Sequence, residues 1–337
     1  MNTIVCTKPG LLEHTLKDKP SPLEGEVLVK IKAIGVCGTD IHAYGGNQPY
    51  FQYPRVLGHE LSGVIESTGK GTSIEVGSPV YIIPYLHCGK CIACRNGKTN
   101  CCTDIEVLGV HRDGGMCEYL SVPESAVVCT EGLEFNDMAV IECLAIGAHS
   151  VSRAKITSED TVLILGAGPI GMGALQFAQV EGAKVIVSDV RQDKLDFCKA
   201  HYNVFGTVNA AEDVNAQLAI LTEGEFPTVI IDCTGNAKAM ESSFYNLAHG
   251  GRIVFVSVIK ADITFSDPEF HKRETTLLGS RNATLDDFQH VVKCLRDGTV
   301  KCDSFVTHTA KFENLINSFK EWVKPDSGVI KAVIEMD

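Results

Sequence analysis

Thr161-Val-Leu-Ile-Leu-Gly-Ala-Gly-Pro-Ile-Gly171 is the stretch that decides the fold of this chain. Residues 161–166 form an essentially apolar run, the pattern of a strand buried on both faces of a parallel sheet. Gly166, Gly168 and Gly171 follow with Pro169 and Ile170 between them, and an apolar helix runs on through Val180. A second strand, Ala183-Lys-Val-Ile-Val-Ser-Asp189, ends in an acid. Glycines alone say little, but strand, glycine turn, helix, strand and terminal acid in one unit specify a dinucleotide-binding βαβ element. Main-chain amides at the helix N-terminus approach the pyrophosphate. Asp189 takes the ribose hydroxyls and repels a 2′-phosphate, which favours NAD over NADP. The uncharged run 161–180 approaches membrane-span length, yet its glycines and Pro169 make it a strand and helix instead.

Outward from there the alternation continues. Strand patterns at 204–208, 228–235 and 251–258, separated by helical segments, predict a doubly wound α/β domain. Helical stretches at 286–297 and 312–322 and a last strand at 329–335 follow, and that strand is expected to return to the first domain. On the N-terminal side, residues 4–80 read as short strands between turns, a compact and mostly antiparallel β domain. Between the two lies a helix, 137–149, apolar on most faces. Glu142 interrupts it, and a carboxylate inside an apolar helix needs a cation or a hydrogen-bond partner.

Two constellations carry chemistry. Cys37-Gly-Thr-Asp-Ile-His42 and, further on, Gly58-His59-Glu60 offer a thiolate, an imidazole and a carboxylate, donors that suit zinc with one coordination position open. Thr39 and His42 between them can pass a proton outward. The second is Cys88-Gly-Lys-Cys91-Ile-Ala-Cys94, then Cys101-Cys102. Its spacing closes a four-thiolate structural zinc site with either Cys101 or Cys102 as the fourth ligand.

Composition bounds the rest. The chain has 337 residues, enough for about two domains. A net charge of -12 and the lack of a basic stripe argue against a nucleic-acid partner and for a small-molecule substrate. No signal-peptide pattern opens the sequence, no span predicts a membrane segment, and a cytoplasmic location is the expectation. Of the fourteen cysteines, Cys129, Cys198, Cys233 and Cys294 sit singly in apolar surroundings, where cysteine acts as a small hydrophobe.

These motifs, together with Ile141-Glu-Cys-Leu144, resemble the zinc-dependent medium-chain dehydrogenase/reductases, polyol dehydrogenase branch, along essentially the whole chain. The resemblance implies a GroES-like catalytic domain over 1–145 with the structural zinc lobe at 88–102. It implies a Rossmann domain over 146–280 and a return to the catalytic domain over 281–337. It implies two zinc ions per chain and NAD, and it selects Cys102 in the lobe. For the catalytic zinc it implies Cys37, His59 and a carboxylate, Glu60 or Glu142, with Asp40 orienting His59. NAD would meet Gly166, Gly168, Pro169, Ile170, Gly171, Asp189, Arg191, Thr234, Val256, Ser257 and Arg281. Relatives are dimers or tetramers, so a homodimer or homotetramer is implied. The run Tyr44-Gly-Gly-Asn-Gln-Pro-Tyr-Phe51 resembles enzymes that oxidise C5 of hexonates such as L-galactonate or L-gulonate. Sorbitol- and threonine-type dehydrogenases and a non-catalytic NAD-binding regulator are the alternatives. For a hexonate carboxylate, the basic cluster His271-Lys-Arg273 and the loop residues Tyr44, Gln48 and His111 are candidates. The chain departs from its relatives at Cys143, where they carry proline.

Overall fold

The computed structural model describes residues 1–48, 51–302, 304–324 and 326–337. Pro49 and Tyr50 of the 44–51 run therefore lie outside the described residues. The chain forms two units, 1–142 with 301–337 and 143–300.

The first unit opens with a hairpin, β1 (Asn2–Lys8) and β2 (Leu11–Leu16). β3 (Glu26–Val36) leads through Cys37 into α1 (Gly38–Tyr44). Then come β4 (Glu60–Thr68), β5 (Pro79–Ile82), β6 (Tyr85–Leu86) and α2 (Ile92–Arg95). β7 (Glu106–Val107), β8 (Tyr119–Pro123), β9 (Val127–Cys129) and α3 (Phe135–Ala139) follow. The helix expected at 137–149 is two helices, α3 and α4 (Ile141–Ala154), parted at Val140, where φ is -93° and ψ is 1°. The division between the units falls just after Glu142, in the first turn of α4.

The second unit alternates strand and helix throughout. It contains β10 (Thr161–Leu165), α5 (Pro169–Val180), β11 (Lys184–Asp189), α6 (Gln192–His201), β12 (Gly206–Asn209) and α7 (Val214–Leu221). It continues with β13 (Val229–Asp232), α8 (Ala237–Ser243), β14 (Arg252–Phe255), α9 (Asp267–Lys272), β15 (Thr276–Gly279) and α10 (Leu285–Arg296). Its strands are all parallel, in the order β12-β11-β10-β13-β14-β15. That is the dinucleotide-fold order, with its reversal between β10 and β13, where ligands bind at the carboxyl ends of the strands. Leu163, Ile186, Ile230 and Ile253 from four strands pack with Phe244 and Leu247, all fully buried, which is why these strands read as unbroken apolar runs. The unit ends at Val300 rather than at 280, because α10 buries Phe288, Val291 and Cys294 within it and its Asp287 bonds His149 of α4 at 2.8 Å.

From 301 the chain rejoins the first unit as β16 (Val306–Lys311), α11 (Leu315–Trp322) and β17 (Lys331–Glu335). β17 inserts between β16 and β3 in a sheet ordered β16-β17-β3-β4-β5-β9, with β8 also on β3. Register pairs Ala332 with Val36 and Gly35 with Glu60. The C-terminal ends of β3 and the start of β4 and β17 thus meet at one place. Among the described residues no helix is long and apolar enough to cross a membrane.

Candidate active site

Cys37 is the N-cap of α1, and Asp40, the third residue of that helix, closes a capping box by accepting from the Cys37 backbone N–H at 2.9 Å. The other Asp40 oxygen accepts from the backbone N–H of Gly58 at 3.0 Å. One buried carboxylate therefore ties together the two loops that carry Cys37 and His59. Asp40 Oδ1 also faces the His59 ring, 3.7 Å from Nδ1, a contact longer than a hydrogen bond.

Cys37, His59 and Glu60 come together, each offering a donor atom within 4.8 Å of the others. His59 Nδ1 is buried without a hydrogen-bond partner, an orphan that a buried ring nitrogen does not normally remain. A thiol, an imidazole and a carboxylate so placed fit a zinc ion. Glu142 is not in that group, and Tyr85 Oη donates to its Oε1 inside the buried pocket.

The unexpected member is Lys331, from β17. Its ammonium is 1 % exposed, pairs with both oxygens of the fully buried Glu60, and donates to the Val36 carbonyl at 3.1 Å. Gly35, opposite Glu60 in register, makes the room: a Cβ there would lie 2.1 Å from Glu60 Oε2. Burial, then the Glu60 charge, pushes the Cys37 thiol well above its usual range. Burial likewise raises Glu142, which the neighbouring His59 partly opposes, and raises Tyr85, which keeps its proton to donate. A bound divalent cation inverts this for the thiol, because a coordinating sulfur is deprotonated outright.

Thr39 and His42 lie three residues apart on α1, hence on one face, Thr39 half-buried and His42 exposed. Tyr44 packs edge-on to Phe319 with ring centres 5.3 Å apart. Gln48 is half-buried, and His111 Nδ1 accepts from the Val107 backbone on its own loop at 3.0 Å.

In the lobe, Cys88, Cys91, Cys94 and Cys102 gather, with Cys91 to Cys94 and Cys88 to Cys102 sulfur separations of 3.4 and 3.5 Å. Backbone amides of Cys88, Cys91, Cys94 and Asp104 donate to sulfurs of the same set. Amides aimed at sulfur favour thiolates, and those of Cys94 and Thr103 bring the Cys91 thiol down to about 5. The set fits a second, closed zinc site. Cys101 is exposed and outside it.

In the second unit the expected cofactor residues stand at carboxyl ends of strands. Gly166 follows β10 at φ 96°, and a Cβ on Gly171 would lie 1.8 Å from the Gly166 carbonyl oxygen. A Cβ on Gly168 would instead meet open space, room that a bound pyrophosphate would need. Pro169 opens α5 at its first position, with Ile170 beside it. Asp189 ends β11 and accepts from the amides of Ala167 and Arg191 at 2.8 and 2.9 Å. Arg191 binds Asp193 through its side chain. Thr234 lies past β13 and is exposed, Val256 and Ser257 past β14 are half-buried, and Arg281 past β15 is exposed. The arrangement fits a dinucleotide.

In the basic cluster His271 to Arg273, Lys272 and Arg273 pair with Glu269, and Arg273 also donates to the main-chain carbonyls of Leu247 and Tyr245. Lys331 and Tyr85 were not singled out by the sequence. A lone lysine inside Val329-Ile-Lys-Ala-Val-Ile was a usable signal for the first, while nothing local marks the second.

Residues 23–131 match the family model described as alcohol dehydrogenase GroES-like domain, and residues 169–297 that described as zinc-binding dehydrogenase. The chain is 44% identical to L-galactonate-5-dehydrogenase of Escherichia coli K12 over 335 residues, 99% of this chain and 98% of the relative. Among solved structures it is similar to an alcohol dehydrogenase from E. coli CFT073 complexed with NADH, with TM-score 0.93, 31% identity and 99% of each chain covered. It is also similar to a zinc-binding dehydrogenase from Sinorhizobium meliloti bound to NADP, with TM-score 0.91, 27% identity and 99% and 98% covered.

Proposed function

The chain belongs to the zinc-dependent alcohol dehydrogenases, and on that premise we propose that it oxidises a secondary alcohol with NAD, at C5 of a hexonate such as L-galactonate or L-gulonate. The observation that carries the reaction is the convergence of Cys37, His59 and Glu60 in a buried pocket. The substrate class is supported by the likeness to the E. coli L-galactonate-5-dehydrogenase. Asp189 at the end of β11 supports NAD.

Zinc held by Cys37, His59 and a carboxylate supplies a Lewis acid that lowers the pKa of the substrate hydroxyl, and NAD supplies the hydride acceptor. The chain's own residues do the rest. Thr39 would take the proton of the substrate hydroxyl while giving up its own, and His42, one turn along α1 and exposed, would pass a proton on to water. Asp40 holds both ligand loops at fixed spacing through main-chain amides. Tyr85 fixes Glu142 in one orientation. The Cys88 to Cys102 lobe would hold a second zinc that stabilises its own fold.

NAD reduction against aldonates and polyols tests this. L-galactonate or L-gulonate should exceed sorbitol and L-threonine in kcat/KM by at least about tenfold, one methylene-scale difference in transition-state binding or more. A neutral polyol or threonine as the better substrate sinks the hexonate assignment, and equal use of NADP sinks the role of Asp189. Cys37→Ala should abolish turnover while NAD binding persists, and near-native turnover in that variant would remove the metal from the chemistry.

A further inference from the structure

We propose that Lys331 is a resident cation that competes with the metal for Glu60, so that it is the positioning residue of the site and sets how tightly the metal is held. The inference rests on the reading of Cys37, His59 and Glu60 as the metal pocket. Glu60 is fully buried, one of its oxygens lies within 4.8 Å of the Cys37 and His59 donors, and both of its oxygens face the Lys331 ammonium. One carboxylate therefore stands within reach of two cations.

The fold holds it there. Lys331 is the first residue of β17, its ammonium fastened to the Val36 carbonyl one residue before Cys37. The Glu60 carboxylate fills the space that Gly35 leaves by having no side chain. A buried carboxylate without a counter-ion is costly, and so is a buried ammonium. With the metal absent, the lysine keeps the pocket assembled around Glu60. When a metal binds, it must draw electron density from a carboxylate that an ammonium already polarises, and it must do so beside a fixed positive charge. Both effects weaken binding, and both vanish when the lysine charge is removed. Removing it also leaves the metal-free pocket with an uncompensated carboxylate, which metal binding relieves. All three push the same way, so loss of the lysine charge tightens the metal.

This also gives Glu142 a part. Cys37 thiolate and Glu60 would neutralise a divalent ion by themselves, but Lys331 restores one positive charge to the pocket. Two further buried carboxylates can balance it, Asp40, whose Oδ1 lies 3.7 Å from His59 Nδ1, and Glu142, held by Tyr85.

The test is chelator competition on the full-length protein loaded with zinc, following the equivalent that Cys37→Ser abolishes. Lys331→Met should raise zinc affinity, or slow its loss to the chelator, by about tenfold or more, the size of a modest ion-pair coupling. Lys331→Arg, which keeps the charge, should stay within about threefold of the native protein, and Glu60→Gln in the Lys331→Met background should cancel the gain. Unchanged or weaker zinc binding in Lys331→Met overturns the proposal. Lys331→Met should also fold when loaded, since zinc then supplies the missing cation, and a variant that fails to fold even with zinc overturns it equally. If Cys37→Ser loses no zinc equivalent, the metal-pocket reading itself falls. If it loses one and Lys331→Met binds as the native protein does, only the role of the lysine falls.

Discussion

Asp232 shows what burial does to a single carboxyl. It ends β13 fully buried, and loss of hydration raises it from 3.8 to about 6 in spite of hydrogen bonds from Thr234. Below about pH 3 both folded and unfolded states carry the proton and nothing is lost. As pH climbs towards 6 the unfolded chain ionises first, so stability falls, and above 6 the deficit levels off at up to about 3 kcal/mol. Both the amide and the hydroxyl of Thr234 donate to Oδ1, which an asparagine retains. Asp232→Asn should therefore raise the melting temperature at pH 7.5 by several degrees and leave it unchanged near pH 3. A gain of equal size at both values would show that ionisation is not the cause. Charge at a distance is also what made Lys331 hard to read. Its partner Glu60 is 271 residues away and Tyr85 is 57 residues from Glu142, and no local spacing in a sequence records such pairs. Cys37, His59 and the lobe cysteines 88, 91 and 94 stand out by donor chemistry and local spacing, whereas spacing left Cys102 open against Cys101 and Glu60 open against Glu142. Asp40 was legible as a site residue, yet its capping of two backbone amides depends on the turn geometry at Cys37 and Gly58.

Strands and helices separate two kinds of glycine requirement. Gly171 lies on α5 against the Gly166 carbonyl, so Gly171→Ala drives a methyl into main chain that cannot yield. It should lower the melting temperature and cost NAD binding together. Gly168 has ordinary helix-entry backbone, φ -88°, with open space around the absent Cβ. Gly168→Ala should keep the melting temperature within about 2 °C, as a surface change does, and weaken NAD by about tenfold or more because the methyl occupies the pyrophosphate cradle. Thermal shift and NAD titration on both variants check this, and a destabilised Gly168→Ala that binds NAD normally would reverse the assignment. The βαβ unit was readable since apolar runs, glycines and a terminal acid all fall within a short window. The end of the second unit was not: α10 shows the same amphipathic pattern whichever unit it packs in, and only its buried Phe288 and the His149 to Asp287 bond decide.

At the scale of the whole molecule the chain leaves the first unit after Glu142 and returns at Lys301. The two candidate metal sites belong to the first unit and the candidate dinucleotide site to the second. Ligands that bind one folded unit stabilise it by mass action. Calorimetry should resolve two transitions, one lowered by removing zinc and the other raised by NAD. A single transition moved equally by both ligands would show that the units unfold as one.

The interleaving has a bearing on biosynthesis. Glu60 leaves the ribosome 271 residues before Lys331, and at about 5–20 residues per second that is a wait of roughly tens of seconds. Throughout it, β3 and β4 lack the neighbouring strand β17, which carries the lysine. The nascent chain thus offers a thiol, an imidazole and an unclaimed carboxylate to zinc before the competing ammonium exists. Loading during translation is favoured over loading of the finished protein.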